Sequence, residues 1–218
     1  MPRFARLVVP AYPHHVTQRG SRRQVTFFCD ADYSAYRDLL ARQLPAAQVE
    51  LLAYCLMPNH VHLIVVPHRP DSLSRLLRKT HARYARRINL EHGWQGHLWQ
   101  ERFHSFVMDE EHLLAAARYV ELNAVRAGLC EHPDGWPWSS VHFHLHRRAD
   151  PLITHGGMRA YVDDWHAFLG EALTTTELDA LRSHSRNGRP AGGLRFLSRL
   201  EALTGRRLVA RKRGPTGT

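Results

Sequence analysis

At 218 residues with 44% hydrophobic side chains, the chain is long enough for one ordinary domain plus an appended segment. Its 30 Lys plus Arg against 20 Asp plus Glu leave a net charge of +10, carried mostly by arginine, and so favour a polyanion such as nucleic acid as partner. No apolar run approaches the ~20 residues of a membrane span, MPRFARLVVPAYPHH is too short and proline-broken for a secretory signal, and a cytoplasmic protein with no membrane partner is expected. Cys29, Cys55 and Cys130 are too scattered for a disulfide framework or a Cys-x-x-Cys knuckle and read as buried apolar residues.

In chain order, HHVTQR (14–19) reads as a first strand, followed by the turn GSRRQ and a short β-rich run, VTFFC. Asp30 or Asp32 can cap a helix through DYSAYRDLLARQL, in which Tyr33, Tyr36, Leu39, Leu40 and Leu44 recur at helical spacing. Two strands, VELLAYCLM and HVHLIVVP, are joined by the Pro58-Asn59 turn. A long helix then opens near Asp71 or Ser72 and closes by Gly93, with Leu73, Leu76, Leu77, Thr80, Tyr84 and Ile88 as its apolar stripe. Arg75, Arg78, Lys79, Arg83, Arg86 and Arg87 fall elsewhere on it with almost no acid to balance them, as on a solvated or a phosphate-contacting face. RFHSFVM, which opens with Arg102, alternates like a further strand, and Asp109 caps a helix running to Gly128.

The order β-α-β-β-α-β followed by a helix is the α+β, ferredoxin-like arrangement: an antiparallel sheet covered by helices. Three parts are expected: a catalytic-type domain over 1–130, a helical extension over 131–185 with weaker helices near 158–170 and 174–184, and 186–218, comprising the linker-like SRNGRPAGG, a short helix and a basic tail.

MPNHVHLIV (57–65) puts His60 and His62 on one face of a strand, where two neutral imidazoles can grip one metal ion. Composition alone, with 17 histidines, predicts roughly one His-x-His, and three occur. The other two overlap in His142-Phe143-His144-Leu145-His146, which reads as a surface cluster. For His60 and His62 a hydrogen-bonded pair at a sheet rim is the bland alternative.

On DEEHLLAAARYVELNAVRAGL, Leu113, Ala117, Val120, Ala124 and Ala127 form a core stripe beside His112, Ala116, Tyr119 and Asn123. Tyr119 and Asn123 lie one turn apart. A phenol is a poor nucleophile at neutral pH, yet beside a divalent cation that polarises a phosphodiester it can attack phosphorus. Two imidazoles and an Asn123 amide oxygen, with open positions, suit an exchangeable Mg²⁺ or Mn²⁺. The plain alternative for Tyr119 is a helix tyrosine packed on the sheet.

HHVTQRGSRRQVTFF, MPNHVHLIV, GHLWQERFHSFVMDEEHL, ARYVELNAVRAGL and WPWSS, in this order over roughly residues 10–145, resemble the REP-associated tyrosine transposases of the HUH superfamily. GRPAGGLRFLSRLEALTGRRL is similar to a C-terminal element many of them carry. The resemblance implies His60 and His62 as metal ligands, Asn123 as the polar third ligand and Tyr119 as nucleophile. One departure is Ala124, where many relatives have proline after the asparagine. It also implies a bacterial, nucleoid-associated protein acting on single-stranded hairpin DNA from repetitive extragenic palindromes. Arg19, Arg22, Arg23, the basic helix, Arg102 and the tail can track a phosphate backbone, and Trp99 can stack on a base or pack in the core.

The expected activity is that of a metal-dependent single-strand DNA endonuclease and strand transferase with a 5′-phosphotyrosine intermediate. Alternatives are a domesticated hairpin-binding protein that does not cut, a replication or conjugation initiator with the same chemistry, and a zinc-stabilised RNA-binding protein, which would give Tyr119 no task. Insertion-sequence relatives are dimers that exchange the tyrosine helix; here the extra C-terminal segment can cover that surface, and a monomer is expected.

Overall fold

The computed structural model describes residues 6–209; the end of the expected basic tail, from residue 210, lies outside the described residues. Strands β1 (His14–Arg19), β2 (Val49–Met57), β3 (His60–Pro67) and β4 (His104–Val107) form one antiparallel sheet in the order β2-β3-β1-β4. Helix α1 (Asp30–Ala47) links β1 to β2, and α2 (Ser72–His92) links β3 to β4, which is the expected βαββαβ arrangement. Helices α3 (Glu110–Glu121), α4 (Asn123–Arg126), α5 (Val141–His146), α6 (Trp165–Gly170), α7 (Thr175–Asn187) and α8 (Leu194–Thr204) follow.

Both faces of the sheet are covered, so strands such as LLAYCLM are apolar on both sides. On one face Tyr54, Leu56, Val61, Leu63 and Val65 pack with Tyr36 and Leu40 of α1 and Leu76 and Tyr84 of α2. On the other, Ala53, Cys55, Ile64 and Phe106 pack with Leu113, Ala117 and Val120 of α3. Alternation along β3 therefore sends Val61, Leu63 and Val65 under α1 and α2 and turns His60 and His62 to the α3 side.

Several expectations are corrected. VTFFC is a loop: the ladder positions beside β1 are taken by β3 and β4, and the Thr26 and Phe27 N–H groups both donate to the Pro58 carbonyl instead. The helix expected to reach Gly128 breaks at Leu122 (φ −88°, ψ 6°), which separates α3 from α4 and leaves Ala127 exposed. Cys29 is exposed and Cys130 half-buried, so only Cys55 is the buried apolar residue foreseen.

His144 is not part of a surface cluster. It lies on α5, fully buried, with Nδ1 2.7 Å from Glu121 Oε1 and Nε2 accepting the Met158 N–H at 3.3 Å. The ring proton therefore sits on Nδ1 and is given to the carboxylate, while the Trp165 indole stacks on the ring at 4.2 Å. The Ser140 hydroxyl donates to the same carboxylate oxygen at 2.6 Å. SRNGRPAGG is likewise no free connector. Ala191 donates to Val107 and accepts from Asp109 along the backbone, and the Gly193 N–H donates to Asp109 Oδ2.

Removing the His144 ring would strand the Glu121 carboxylate in the interior without its ring donor. His144→Ala is expected to lower the unfolding free energy by about 3 kcal/mol, and His144→Asn, which keeps an N–H donor, by clearly less, as measured by urea denaturation. A loss below about 1 kcal/mol for the alanine variant would mean that water reaches the carboxylate.

Candidate active site

β3 starts directly after the Pro58-Asn59 turn, which puts His60 and His62 at the rim of the sheet. The Asn59 amide is oriented by its nitrogen, which donates to the Arg23 carbonyl at 3.0 Å. Its oxygen then lies 2.6 Å from His60 Nδ1, so that nitrogen carries the proton and Nε2 keeps its lone pair. His62 Nδ1 lies 2.9 Å from Nε2 of His15, which reaches over from β1, and the two rings stack 5.1 Å apart with planes 7° from parallel. The His60 and His62 rings are 4.9 Å apart and nearly perpendicular.

Burial pushes the His60 imidazole down to about 4, helped by the nearby Arg19 guanidinium. Burial alone takes His15 to about 3. His62 is held well below the ordinary histidine range, first by burial and then by the adjacent His60, His15, Arg126 and Arg19. All three rings are thus neutral at neutral pH, the form whose lone pair a metal or a phosphate-bound proton can use.

Helix α3 crosses β2 and β3, and Asp109 caps its N-terminus by accepting the His112 N–H at 3.1 Å. This placement brings the half-exposed Tyr119 ring to 5.6 Å from His62 and 6.2 Å from His15, centre to centre. The Arg126 guanidinium lies 4.0 Å from the centre of the Tyr119 ring and donates to the Tyr119 carbonyl at 3.3 Å. Asn123, the first residue of α4, is buried, and its amide nitrogen has no hydrogen-bond partner. Tyr54 and Tyr84, by contrast, are fully buried with hydroxyls committed to Asp150 and to the Thr26 carbonyl, both at 2.7 Å.

Of the residues singled out from sequence, His60, His62 and Tyr119 converge, and Asn123 lies one turn past the tyrosine in the interior. Arg19 is exposed and pairs across the sheet with His60; Arg22 and Arg23 follow on an exposed turn. Arg75, Arg78 and Arg102 line one groove beside α2, while Lys79 and Arg83 are exposed on α2 outside its lining. Arg87 is not part of an unbalanced face, since it pairs with Glu91 at 2.7 Å and Asp32 at 3.8 Å. Of the two readings of Trp99 the structure takes the core one: at 9% exposure it stacks on His81 at 4.5 Å and donates to the His81 carbonyl, which leaves little ring for a base. Sequence reading missed His15 and Arg126. His15 is visible only through strand register, whereas the i, i+7 spacing of Arg126 from Tyr119 was a signal that two helical turns would have provided.

Among the described residues no three His, Cys, Asp or Glu side chains group as a metal site. A cation here would rest on the lone pairs of two neutral imidazoles, whose chemistry fits it; the Asn123 atom left without a partner is the amide nitrogen, which donates rather than ligates, so the third donor would have to be the amide oxygen.

The fold and this convergence define a ferredoxin-like domain with a histidine pair on a central strand and a single tyrosine on the helix above it. The chain belongs to the family described as "Transposase IS200 like", whose profile matches residues 8–123. A Haemophilus influenzae chain named as a candidate REP-associated tyrosine transposase is 24% identical over 138 residues, 58% of this chain and 76% of that one. A REP-associated tyrosine transposase solved with a REP hairpin is similar in fold, with a TM-score of 0.59 and 19% identity over 72% of this chain and 97% of the other. A candidate transposase from Deinococcus radiodurans R1 aligns with a TM-score of 0.39 at 22% identity, covering 55% and 96%. The first two bear the name of the group that the sequence motifs resemble.

With burial as the leading cause of the depressed values, His60 and His62 are expected to stay uncharged at pH 5.5, read from imidazole nitrogen shifts in a pH titration. A midpoint near 6.5 for either ring would place it in water rather than in the site.

Proposed function

We propose that the protein is a metal-dependent, single-strand-specific DNA endonuclease and strand transferase acting on REP-type hairpin DNA. The observation that carries this reading is the approach of Tyr119, the half-exposed tyrosine of α3, to the paired imidazoles of β3, 5.6 Å from the His62 ring. His60 Nε2, His62 Nε2 and the Asn123 amide oxygen would hold Mg²⁺ or Mn²⁺. When bound, the cation supplies Lewis-acid polarisation of the scissile phosphate.

The chain's own groups do the rest. The Tyr119 oxygen attacks phosphorus, the bond from phosphorus to the 3′-oxygen breaks, and the strand is left with a 5′-phosphotyrosine link and a free 3′-OH. Attack by another 3′-OH on that link regenerates the phenol and joins two strands without an outside energy source. Arg126, over the tyrosine ring, places a fixed positive charge beside the point where the phosphate arrives. His15 is a positioning residue. Its contact with His62 Nδ1 can be met by a proton on either nitrogen, but His62 Nε2 offers a lone pair only when the proton is on Nδ1 and His15 accepts it.

The REP-hairpin substrate comes to this chain from its relatives' names and from the basic surface. A cytoplasmic location fits that substrate. A monomer fits the cover over α3: Arg118 donates to the Phe168 carbonyl at 2.9 Å and pairs with Glu171 at 2.6 Å, so the chain's own α6 region occupies the outer side of the helix.

Tyr119→Phe keeps the ring but deletes the attacking oxygen. It is expected to abolish both cutting of a labelled hairpin and the covalent adduct seen on a denaturing gel, with hairpin binding retained. Cutting without an adduct would make water the nucleophile, and an adduct in this variant would assign the reaction to another tyrosine.

His60→Ala and His62→Ala are expected to reduce cleavage in Mn²⁺ by at least about 100-fold while hairpin affinity changes by less than about threefold. Full wild-type activity in chelator would overturn the metal assignment.

A further inference from the structure

On the β4 side of the sheet, apart from the histidine and tyrosine cluster, the C-terminal segment closes a hollow of about 590 Å³ with six arginines in its lining. Arg6 and Arg102 contribute to it from before β1 and before β4, Arg186 and Arg189 from the end of α7, and Arg206 and Arg207 from the stretch after α8. Against these six guanidiniums the described lining has one carboxylate, Glu101. Arg6 shows the crowding directly: its guanidinium is pushed down to about 10, by burial first and by Arg102 second.

The hollow has a fixed frame. Arg6 Nε donates to the Phe103 carbonyl at 2.9 Å, and the guanidinium stacks 3.7 Å from the Phe103 ring centre. Arg186 and Arg189 flank Gly188, whose φ of +67° turns the chain out of α7, and the Arg189 carbonyl is held by His184 at 3.0 Å. Immediately after, Ala191 and Gly193 tie the segment to Val107 and Asp109. Gly192 admits no side chain, since a Cβ there would collide with the Phe196 ring and crowd Asp109 Oδ2. Arginines held in this way lose less freedom on binding an anion than arginines on a loose tail.

The position of the hollow relative to the histidines follows from register. Thr17 pairs with His62 on one side and with His104 on the other, so His62, Thr17 and His104 form one row across the sheet with side chains on one face. Two strand spacings of about 4.8 Å put His104, which lines the hollow, about 10 Å from His62. That is the length of roughly three stacked nucleotides. Arg6 and Arg102 also line the groove beside α2 that holds Arg75 and Arg78, so the basic surface continues around the β4 edge.

We infer that this hollow is a phosphate-binding site for the unpaired strand that leaves the hairpin next to the cleavage point. The inference rests on the reading of the protein as a hairpin-DNA strand transferase and adds to it a task for the C-terminal segment. The segment supplies one wall of the channel that holds the flanking single strand, through charge-assisted bonds to phosphate oxygens that carry no base information.

The test uses the whole chain, wild type and Arg186→Ser/Arg189→Ser, with two labelled probes: a hairpin carrying a ten-nucleotide single-stranded flank, and the same hairpin cut blunt. Both arginines are exposed, so the fold should survive, as checked by a thermal melt. For the flanked probe, affinity is expected to fall about tenfold or more at 0.1 M salt. The slope of log affinity against log salt should shrink by about 1.4, as expected for two lost contacts to a single strand. Affinity for the blunt hairpin should stay within about twofold. An equal loss on both probes would reveal a general charge effect and overturn the assignment, as would unchanged affinity and slope on the flanked probe. Wild-type binding and its covalent adduct are scored in the same samples, so a failed hollow beside an active wild type leaves the catalytic reading intact. A wild type that binds neither probe overturns both.

Discussion

The register between β1 and β3 decides the identity of every group at the centre of this protein. With Thr17 opposite His62 and Arg19 opposite His60, both metal-type imidazoles and the His15 ring share the face under α3. A slip of one residue would turn the β3 histidines into the core beneath α1 and α2 and bring Val61 and Leu63 out to the site. The register is held from both sides. Val61, Leu63 and Val65 are fully buried in one layer and Ile64 in the other, so no alternative pairing keeps them all out of water. The apolar residues between and after the histidines therefore orient the imidazoles by filling the layers on either side of the sheet.

The second requirement is that α3 sit at a fixed height above that face, and here the C-terminal half contributes. The N-terminal end of α3 is held where Asp109 both caps the helix and accepts from Gly193, and its C-terminal end where Glu121 is buried between Ser140 and His144. Arg118 ties the middle to the segment after α6. Tyr119 lies between these attachments. In the proposed reaction a helix clamped at both ends would lose little freedom when its tyrosine meets a phosphate, and that saving would appear in the rate rather than in the affinity.

How much of this was legible in the sequence follows from the range of each signal. The histidine pair, the tyrosine helix and the βαββαβ order rest on periodicities of two and 3.6 residues and can be read within one segment. VTFFC was misleading for a nonlocal reason: its composition suits a strand, but β1 has no free edge to pair with it. His144 looked like a surface residue because its partner, Glu121, is 23 positions away, and Trp99 stayed open between a base platform and the core because His81 and Phe27 approach it only after folding. His15 was hidden in the same way, its neighbour in a pair being 47 residues distant. The Gly-rich stretch before α8 read as a linker, yet Gly192 is there for close approach, a use of glycine that composition cannot separate from flexibility.

Charge and chemistry occupy different parts of the molecule, and their separation has a physical basis. Near the imidazoles, positive charge is confined to Arg19 and Arg126, each of which already depresses His62. In the proposed reading, more guanidiniums there would compete with the cation for the same phosphate oxygens and repel it from the imidazoles. Around the β4 edge no such conflict exists, and arginines can gather on a surface that, in the proposed reading, a polyanion would meet. The fold thus lets positive charge accumulate about 10 Å from the histidine pair along the row through Thr17 and His104, while little of it stands beside the neutral imidazoles that the proposed reading gives to a divalent ion. This division also gives the appended segment a place in the proposed reading, whose site residues all precede it: on a four-stranded sheet with β4 at the edge, the C-terminal chain is the element that can wall a channel there without displacing α3.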